Sequence, residues 1–326
     1  MKNKLHLQST IQIGVIIILL IYIGWKESAK VEAMPKTEGE SKTETFVGPR
    51  YQACVVEVPH AVMFAGSEIS LDEPDLRERL DRELHVNANW HSNTILLIKR
   101  ANRWLPQIAE ILKANGIPED FKYVPVIESS LEEHARSHQN AIGFWQLLKG
   151  TAQDFGLEVN SEVDERYDPI KSTEAACKYL KKAYEKFGNW PDVAASYNIG
   201  MRGFERRMDE QRVDSYFDIL LNEETARYMF RILAVKAILE TPEKYGFHVA
   251  SDQLYYPARV EIVEVDKTIP DLVEFAHSQH ITYKTLKRHN PWLREKRLTV
   301  GRKTYQIKIS QEPAEQYVKL TAQAAE

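Results

Sequence analysis

Tyr123-Val124-Pro125-Val126-Ile127-Glu128-Ser129-Ser130 is an apolar run closed by a carboxylate and followed by two serines. A carboxyl group at the end of such a run is expected to be buried, and burial disfavours its anion, so it keeps its proton to higher pH and can donate it. The commoner fate of an isolated Glu is a solvated surface ion pair, so its surroundings must decide. Upstream, Ile98, Ala101, Leu105, Ile108 and Leu112 recur at helical spacing, with Asn93 as a candidate cap and Gly116 and Pro118 as stops. Downstream, Trp145, Leu148, Ala152 and Phe155 repeat at the same period. So do Thr173, Cys177, Leu180, Tyr184 and Phe187 behind an Asp168-Pro169 start, and Gly156 and Gly188 supply the stops. A short helix over Trp190 to Asn198 and a longer one from Glu224 to Leu239 complete a region, 84–247, without a convincing alternating strand. The chain is predicted to be mainly α.

The flanks read differently. Lys2 and Lys4 precede an apolar run from Ile11 to Trp25. As a helix this run spans roughly 22 Å against a hydrocarbon core of roughly 30 Å, so within 1–25 a short membrane anchor competes with a signal segment. Val31-Glu32-Ala33 is a poor cleavage site, which favours the anchor, and the charge order puts the remainder outside the cytoplasm. Residues 26–50, rich in Lys, Glu, Thr, Ser and Gly, read as a flexible tether. Residues 51–83 hold too little apolar sequence for a core of their own and are expected to pack on the following domain as an arm. From 258 to 310 the pattern is strand, helix, helix, strand: an alternating Val260–Val265, helices around Leu272, Val273 and Ala276 and around Tyr283 and Leu286, and an alternating Thr304–Ile309. Pro270 opens the first helix, Thr282 caps the second, and Asn290-Pro291 stops it. A tail, 311–326, follows.

Composition excludes several function classes. With a formal charge of −4 over 326 residues and no clustered basic segment, nucleic acid is a poor partner. Cys54 and Cys177 are the two cysteines, too few for a disulfide framework or a multi-cysteine zinc site, and two buried thiols are expected rather than a bridge. Nothing in the sequence names a protein partner.

Three clusters in one helical region change the weight of Glu128: Ile127-Glu128-Ser129-Ser130, Gly143-Phe144-Trp145-Gln146 and Ala195-Ser196-Tyr197-Asn198, with Tyr228 in a later helix. Asp164-Glu165-Arg166-Tyr167-Asp168-Pro169 and Phe187-Gly188-Asn189-Trp190 lie between them. This order resembles the goose-type-lysozyme-like lytic transglycosylases, the SLT-domain family, over about 84–239. Phe144 stands where that family usually has Leu, and Ser196 where it has Ala; neither change removes a proton-transfer group. Residues 258–310 resemble a divergent LysM domain through Val265-Asp266-Lys267-Thr268-Ile269, Leu286, Asn290-Pro291 and Leu298-Thr299-Val300-Gly301, without the usual Gly before Asp266.

The resemblance implies a lysozyme-like α-helical transglycosylase domain followed by a small βααβ LysM-like module that binds peptidoglycan. It implies an enzyme that cleaves peptidoglycan glycan strands, with Glu128 as catalytic acid/base and Ser129, Gly143, Phe144, Gln146, Tyr197, Asn198 and Tyr228 around the substrate. It further implies a 1,6-anhydromuramyl product, no metal or organic cofactor, and a place in the bacterial envelope, with the N-terminal segment in the inner membrane and the catalytic domain in the periplasm. Hydrolytic glycosidases place two carboxylates about the bond. Glu132, Glu133 and Asp154 are nearby but read as solvated helix faces, so a one-carboxylate mechanism is expected. The rivals are a hydrolytic muramidase and a non-catalytic wall-binding scaffold.

Overall fold

The helix that organises the domain, α9 (Tyr228–Glu240), is apolar almost all round: Tyr228, Met229, Phe230, Ile232, Leu233, Ala234, Val235 and Ile238 are all buried. A helix with no polar face belongs inside a domain. It is wrapped by α1 (Pro74–Asn89), α3 (Val124–Ser129) and α6 (Trp190–Ile199). The computed structural model describes residues 55–311, so the expected anchor, tether and most of the tail lie outside the described residues, as does Cys54. Among the described residues no helix is long and apolar enough to cross a membrane.

Side-chain capping sets the start of several helices. Asp168 accepts from Ile170 N and Lys171 N ahead of Pro169, and Gly188 closes α5 (Pro169–Phe187) in the left-handed region at φ 73°. The side chain of Asn189 caps α6 through Asp192 N. α5 packs against α2 (His91–Ala114) and α6, and its small residues Ala176, Cys177 and Ala183 are fully buried. Cys177 is a free buried thiol, and burial pushes its pKa up to about 12.

Several local expectations are corrected. α2 starts at His91 with Trp90 at its cap and no side-chain bond there, so Asn93 lies inside the first turn. The helix expected from Trp145 onward is only α4 (Lys149–Asp154), because Gly143 and Gln146 both adopt positive φ, 74° and 45°, which an α-helix cannot hold. The Glu224–Leu239 helix is broken at Arg227 into α8 (Glu223–Ala226) and α9. Unforeseen were α1, α7 (Met201–Gln211), and a hairpin of β1 (Ala61–Phe64) with β2 (Ser67–Ser70). In the hairpin, Phe64 packs on Phe121 at 5.4 Å between centroids, and Ala65 N donates to Asp120. α1 crosses the expected 83/84 boundary and packs against α9.

The C-terminal module follows the βααβ reading. β3 (Val260–Val265) pairs antiparallel with β4 (Tyr305–Ser310), Val260 opposite Ser310, around α10 (Leu272–Ser278) and α11 (Tyr283–His289). Tyr305, Ile307 and Ile309 point inward at period two. The wholly buried Asn290 ties the end of α11 to β4: its amide donates to Leu286 O and Lys308 O and accepts from Lys308 N. This module is fastened to the helical domain by backbone as well as side chains. Asp164 N donates to Trp292 O and Arg294 N to Glu162 O, Val163 enters the module's core, and Tyr305 OH donates to Glu158.

Candidate active site

Glu128 stands on the last turn of α3, a six-residue helix with Pro125 in its first turn. Val124, Pro125 and Val126 are buried, while Glu128 itself stays partly accessible. The chain then reverses abruptly: Ser130 and Leu131 both take left-handed φ, 52° and 55°. Two successive non-glycine residues in that region store backbone strain, a frequent mark of functional segments. Arg100 holds the reversal by donating to Ser130 O.

Tyr228 OH donates to Glu128 Oε1 at 2.5 Å, and Arg231, one turn further along α9, donates to Ile127 O at 2.8 Å. Burial pushes the Glu128 pKa up, and the Tyr228 hydrogen bond and the Arg231 charge pull against it. The two tyrosines near the carboxyl, Tyr197 and Tyr228, are held well above the ordinary phenol range, first by burial and next by the Glu128 charge. They stay protonated donors.

The second cluster forms a tight turn against this helix. The Ser129 hydroxyl donates to Pro125 O and Phe144 O. Tyr197 OH donates to Trp145 O at 2.7 Å. The Gln146 amide nitrogen donates to Gly143 O at 2.8 Å. A Cβ on Gly143 would lie 2.1 Å from Arg166 O, so only glycine permits this approach. The buried Arg166 donates to Asn140 O and Leu147 O while Asp164 holds its guanidinium through both carboxylate oxygens. This gives the Asp164-to-Pro169 segment a structural role: it clamps the turn carrying Gln146 and then caps α5. The Phe144 ring, expected among the substrate contacts, is 1% exposed and packs edge-on to Trp104, while its carbonyl accepts from Ser129. Asn198 Oδ1 accepts from the Thr225 hydroxyl at 2.7 Å.

Glu133 departs from expectation. Rather than a solvated helix face, it is partly enclosed, and burial raises its pKa to about 7 against the pull of Arg103, Lys308 and Arg288. It is not among the charges acting on Glu128. Glu132 and Asp154 are exposed as expected. Arg231 and Thr225 were missed by sequence reading; Arg231, three residues after Tyr228, could have been found by its helical spacing.

Residues 107–217 match the Transglycosylase SLT domain, and residues 261–315 match the soluble lytic transglycosylase C-terminal LysM-like domain. The chain carries an SLT transglycosylase domain. Over 208 residues it is 28% identical to membrane-bound lytic murein transglycosylase D of Escherichia coli (strain K12), covering 61% of this chain and 45% of that protein. It is 32% identical over 102 residues to a putative tributyltin chloride resistance protein of Alteromonas sp. (strain M-1), covering 31% of this chain and 49% of that one. The chain thus spans about half the length of the curated relatives it matches. Among solved structures, the 70 kDa soluble lytic transglycosylase of Escherichia coli aligns with a TM-score of 0.39 at 17% identity, over 53% of this chain and 31% of that one. Glu128, the Gly143–Gln146 turn, Tyr197 and Asn198 fall within the SLT match, whereas Trp90, Tyr228 and Arg231 fall outside it.

Proposed function

We propose that this protein is a peptidoglycan lytic transglycosylase of the bacterial envelope, cleaving the bond between N-acetylmuramic acid and N-acetylglucosamine without water, with Glu128 as its single acid/base. The observation that carries the reading is the Glu128 carboxyl, its pKa raised by burial and one oxygen fixed by Tyr228 OH at 2.5 Å, yet still partly accessible. Because Tyr228 donates to Oε1, the acidic proton belongs on Oε2. That proton passes to the glycosidic oxygen as the bond to C1 of the muramyl sugar breaks. The C6 hydroxyl oxygen of the same sugar then bonds to C1, and its proton returns to the Glu128 carboxylate. The attack gains from proximity because the nucleophile is already on the reacting sugar. Burial favours the acid that starts the cycle; the Tyr228 hydrogen bond and Arg231 favour the carboxylate it passes through.

Ser129 and Gln146 are engaged with backbone and act as positioning residues, and Tyr197 and Asn198 are read as the groove wall. The LysM-like match supports a C-terminal module that contacts glycan, and the apolar run at 11–25 supports anchoring at the outer face of the inner membrane.

Hydrolysis by a muramidase is the second reading. The carboxylate whose charge bears on Glu128 is Glu224, an exposed side chain at the start of α8 that could activate water. Product mass separates the two, since hydrolysis adds one water to each new end. With purified sacculi, wild-type protein is expected to release anhydromuropeptides. Glu128→Gln should lower that release by at least about a thousandfold while still sedimenting with sacculi. Undiminished release by the variant overturns the assignment.

A further inference from the structure

The residue between α1 and α2 is Trp90, which is 58% exposed, with Val86 one turn before it at 45%. The corner that presents it is firmly held. Trp90 N donates to Val86 O, Thr94 N donates to Trp90 O, and the hydroxyl of Thr94, itself 1% exposed, donates to Asn87 O at 2.6 Å. A large apolar ring projecting from a rigid corner into water gains nothing for the fold; such rings, apolar in body and polar at one edge, are characteristic of binding surfaces.

Trp90 forms one wall of a cavity of about 510 Å3, within the roughly 300–1,000 Å3 range of small-ligand sites. Val86 and Asn87 of α1 line it together with Glu224 of α8, Arg227, and Arg231 of α9. The cavity adjoins the Glu128 site, because Arg231 is hydrogen-bonded to Ile127 O and both Arg231 and Glu224 act on the Glu128 charge. All of these lining residues lie outside the SLT match at 107–217. Its walls come from α1, the Trp90 corner, α8 and α9.

We propose that this pocket is an additional sugar subsite, in which a pyranose ring of the same glycan strand stacks on Trp90 while its hydroxyls bond to Asn87, Glu224 and Arg231. The inference rests on glycan being the substrate. The charge of the pocket selects this occupant. Arg227 is already paired with Glu83 at 2.6 Å and with Glu223 at 3.4 Å, and Glu224 adds a further carboxylate. Arg82 also pairs with Glu83 and Glu223, and Arg231 shares the lining with Glu224, so the charges are largely balanced: the surface offers no net attraction to an anionic ligand such as a carboxylate-bearing stem peptide, and suits a neutral ring with one apolar face and a rim of hydroxyls.

The test uses the Glu128→Gln protein, which holds glycan without turnover, and unmodified N-acetylglucosamine oligomers from dimer to hexamer, with affinity read by calorimetry. Affinity is expected to rise with length. Adding Trp90→Ala should remove about tenfold from the longest oligomers, the weight of one aromatic contact, and nothing from the dimer. Trp90→Phe should keep most of the gain, and the melting temperature should stay unchanged, as for an exposed side chain. Equal affinities with and without the indole at every length overturn the subsite. So does a Trp90 effect confined to peptide-bearing strands, which would make this a stem-peptide site. If the subsite fails while wild-type protein still releases anhydromuropeptides from sacculi, the transglycosylase reading stands alone. If no oligomer binds and nothing is released, both fall together.

Discussion

Glu128 and Glu133 stand five positions apart in the sequence, and burial raises the pKa of each. They nevertheless serve different regions. The strained reversal at Ser130 and Leu131 separates them, so that Glu128 meets the hydroxyl of Tyr228, whereas Glu133 faces Arg103 from α2, Arg288 from α11 and Lys308 from β4. Desolvation alone therefore does not define a catalytic acid. A buried carboxyl bonded to a tyrosine hydroxyl, with the single guanidinium of Arg231 acting on it, suits proton transfer, whereas one set among Arg103, Arg288, Lys308 and Asp168 from two domains acts as a titratable contact at their junction.

The change expected to disturb this division most is Gly143→Ala. Gly143 N donates to Ala135 O, which helps to hold the segment after Glu133, and its Cα lies against the backbone of Arg166. A Cβ there meets a carbonyl oxygen at 2.1 Å at a φ of 74°, and neither partner is a side chain that can swing away. A loss on the order of 3–5 kcal/mol is expected, lowering the melting temperature by roughly 10 °C along with glycan cleavage. An unchanged melting temperature would show that this contact does not hold the two regions apart.

Tyr228→Phe sharpens the comparison, since it removes one donor from Glu128 and leaves the surroundings of Glu133 intact. Loss of a charge-assisted hydrogen bond of about 1.5–3 kcal/mol corresponds to roughly a 10–100-fold fall in kcat. The sign of the pH effect follows from the Tyr228 bond, which lowers the Glu128 pKa. Without it the carboxyl stays protonated to higher pH, so the alkaline limb of the kcat profile should move upward. A limb that moves downward, or does not move, removes Tyr228 from proton transfer.

Much of this was legible because it rests on short-range chemistry. The Asp168-Pro169 start and Gly188 stop of α5, the Thr282 cap of α11 and the alternation of β4 are local rules that tertiary context did not override. The Trp145 periodicity misled because turn and helix share apolar spacing over so few residues, and nothing in the letters announces a left-handed Gln146. The α1 helix was hidden by its charge: Leu76, Leu80 and Leu84 do mark a buried stripe, but Arg, Glu and Asp dominate the rest. Glu128 could be read from its apolar approach and from the motifs after it. Glu133 could not, because what encloses it arrives from Arg103, some thirty residues earlier, and from a β-strand near the end of the described chain.

The finest division between the two carboxyls is in stability. Glu133 is raised from 4.5 to about 7, so between those values the folded state binds more proton than the unfolded chain, and stability falls as pH rises through that window. Glu133→Gln removes the cost. The variant should match wild type at pH 4 and exceed it by about 1–3 kcal/mol at pH 8 in denaturant titrations, with glycan cleavage preserved. Glu128→Gln should shift stability in the same direction, because its pKa is also raised, but with cleavage lost. A Glu133→Gln protein less stable than wild type at pH 8 would mean that attraction to Arg103, Arg288 and Lys308 outweighs desolvation. Loss of cleavage in that variant would break the comparison altogether, since Glu133 would then belong to the chemistry as a second carboxylate.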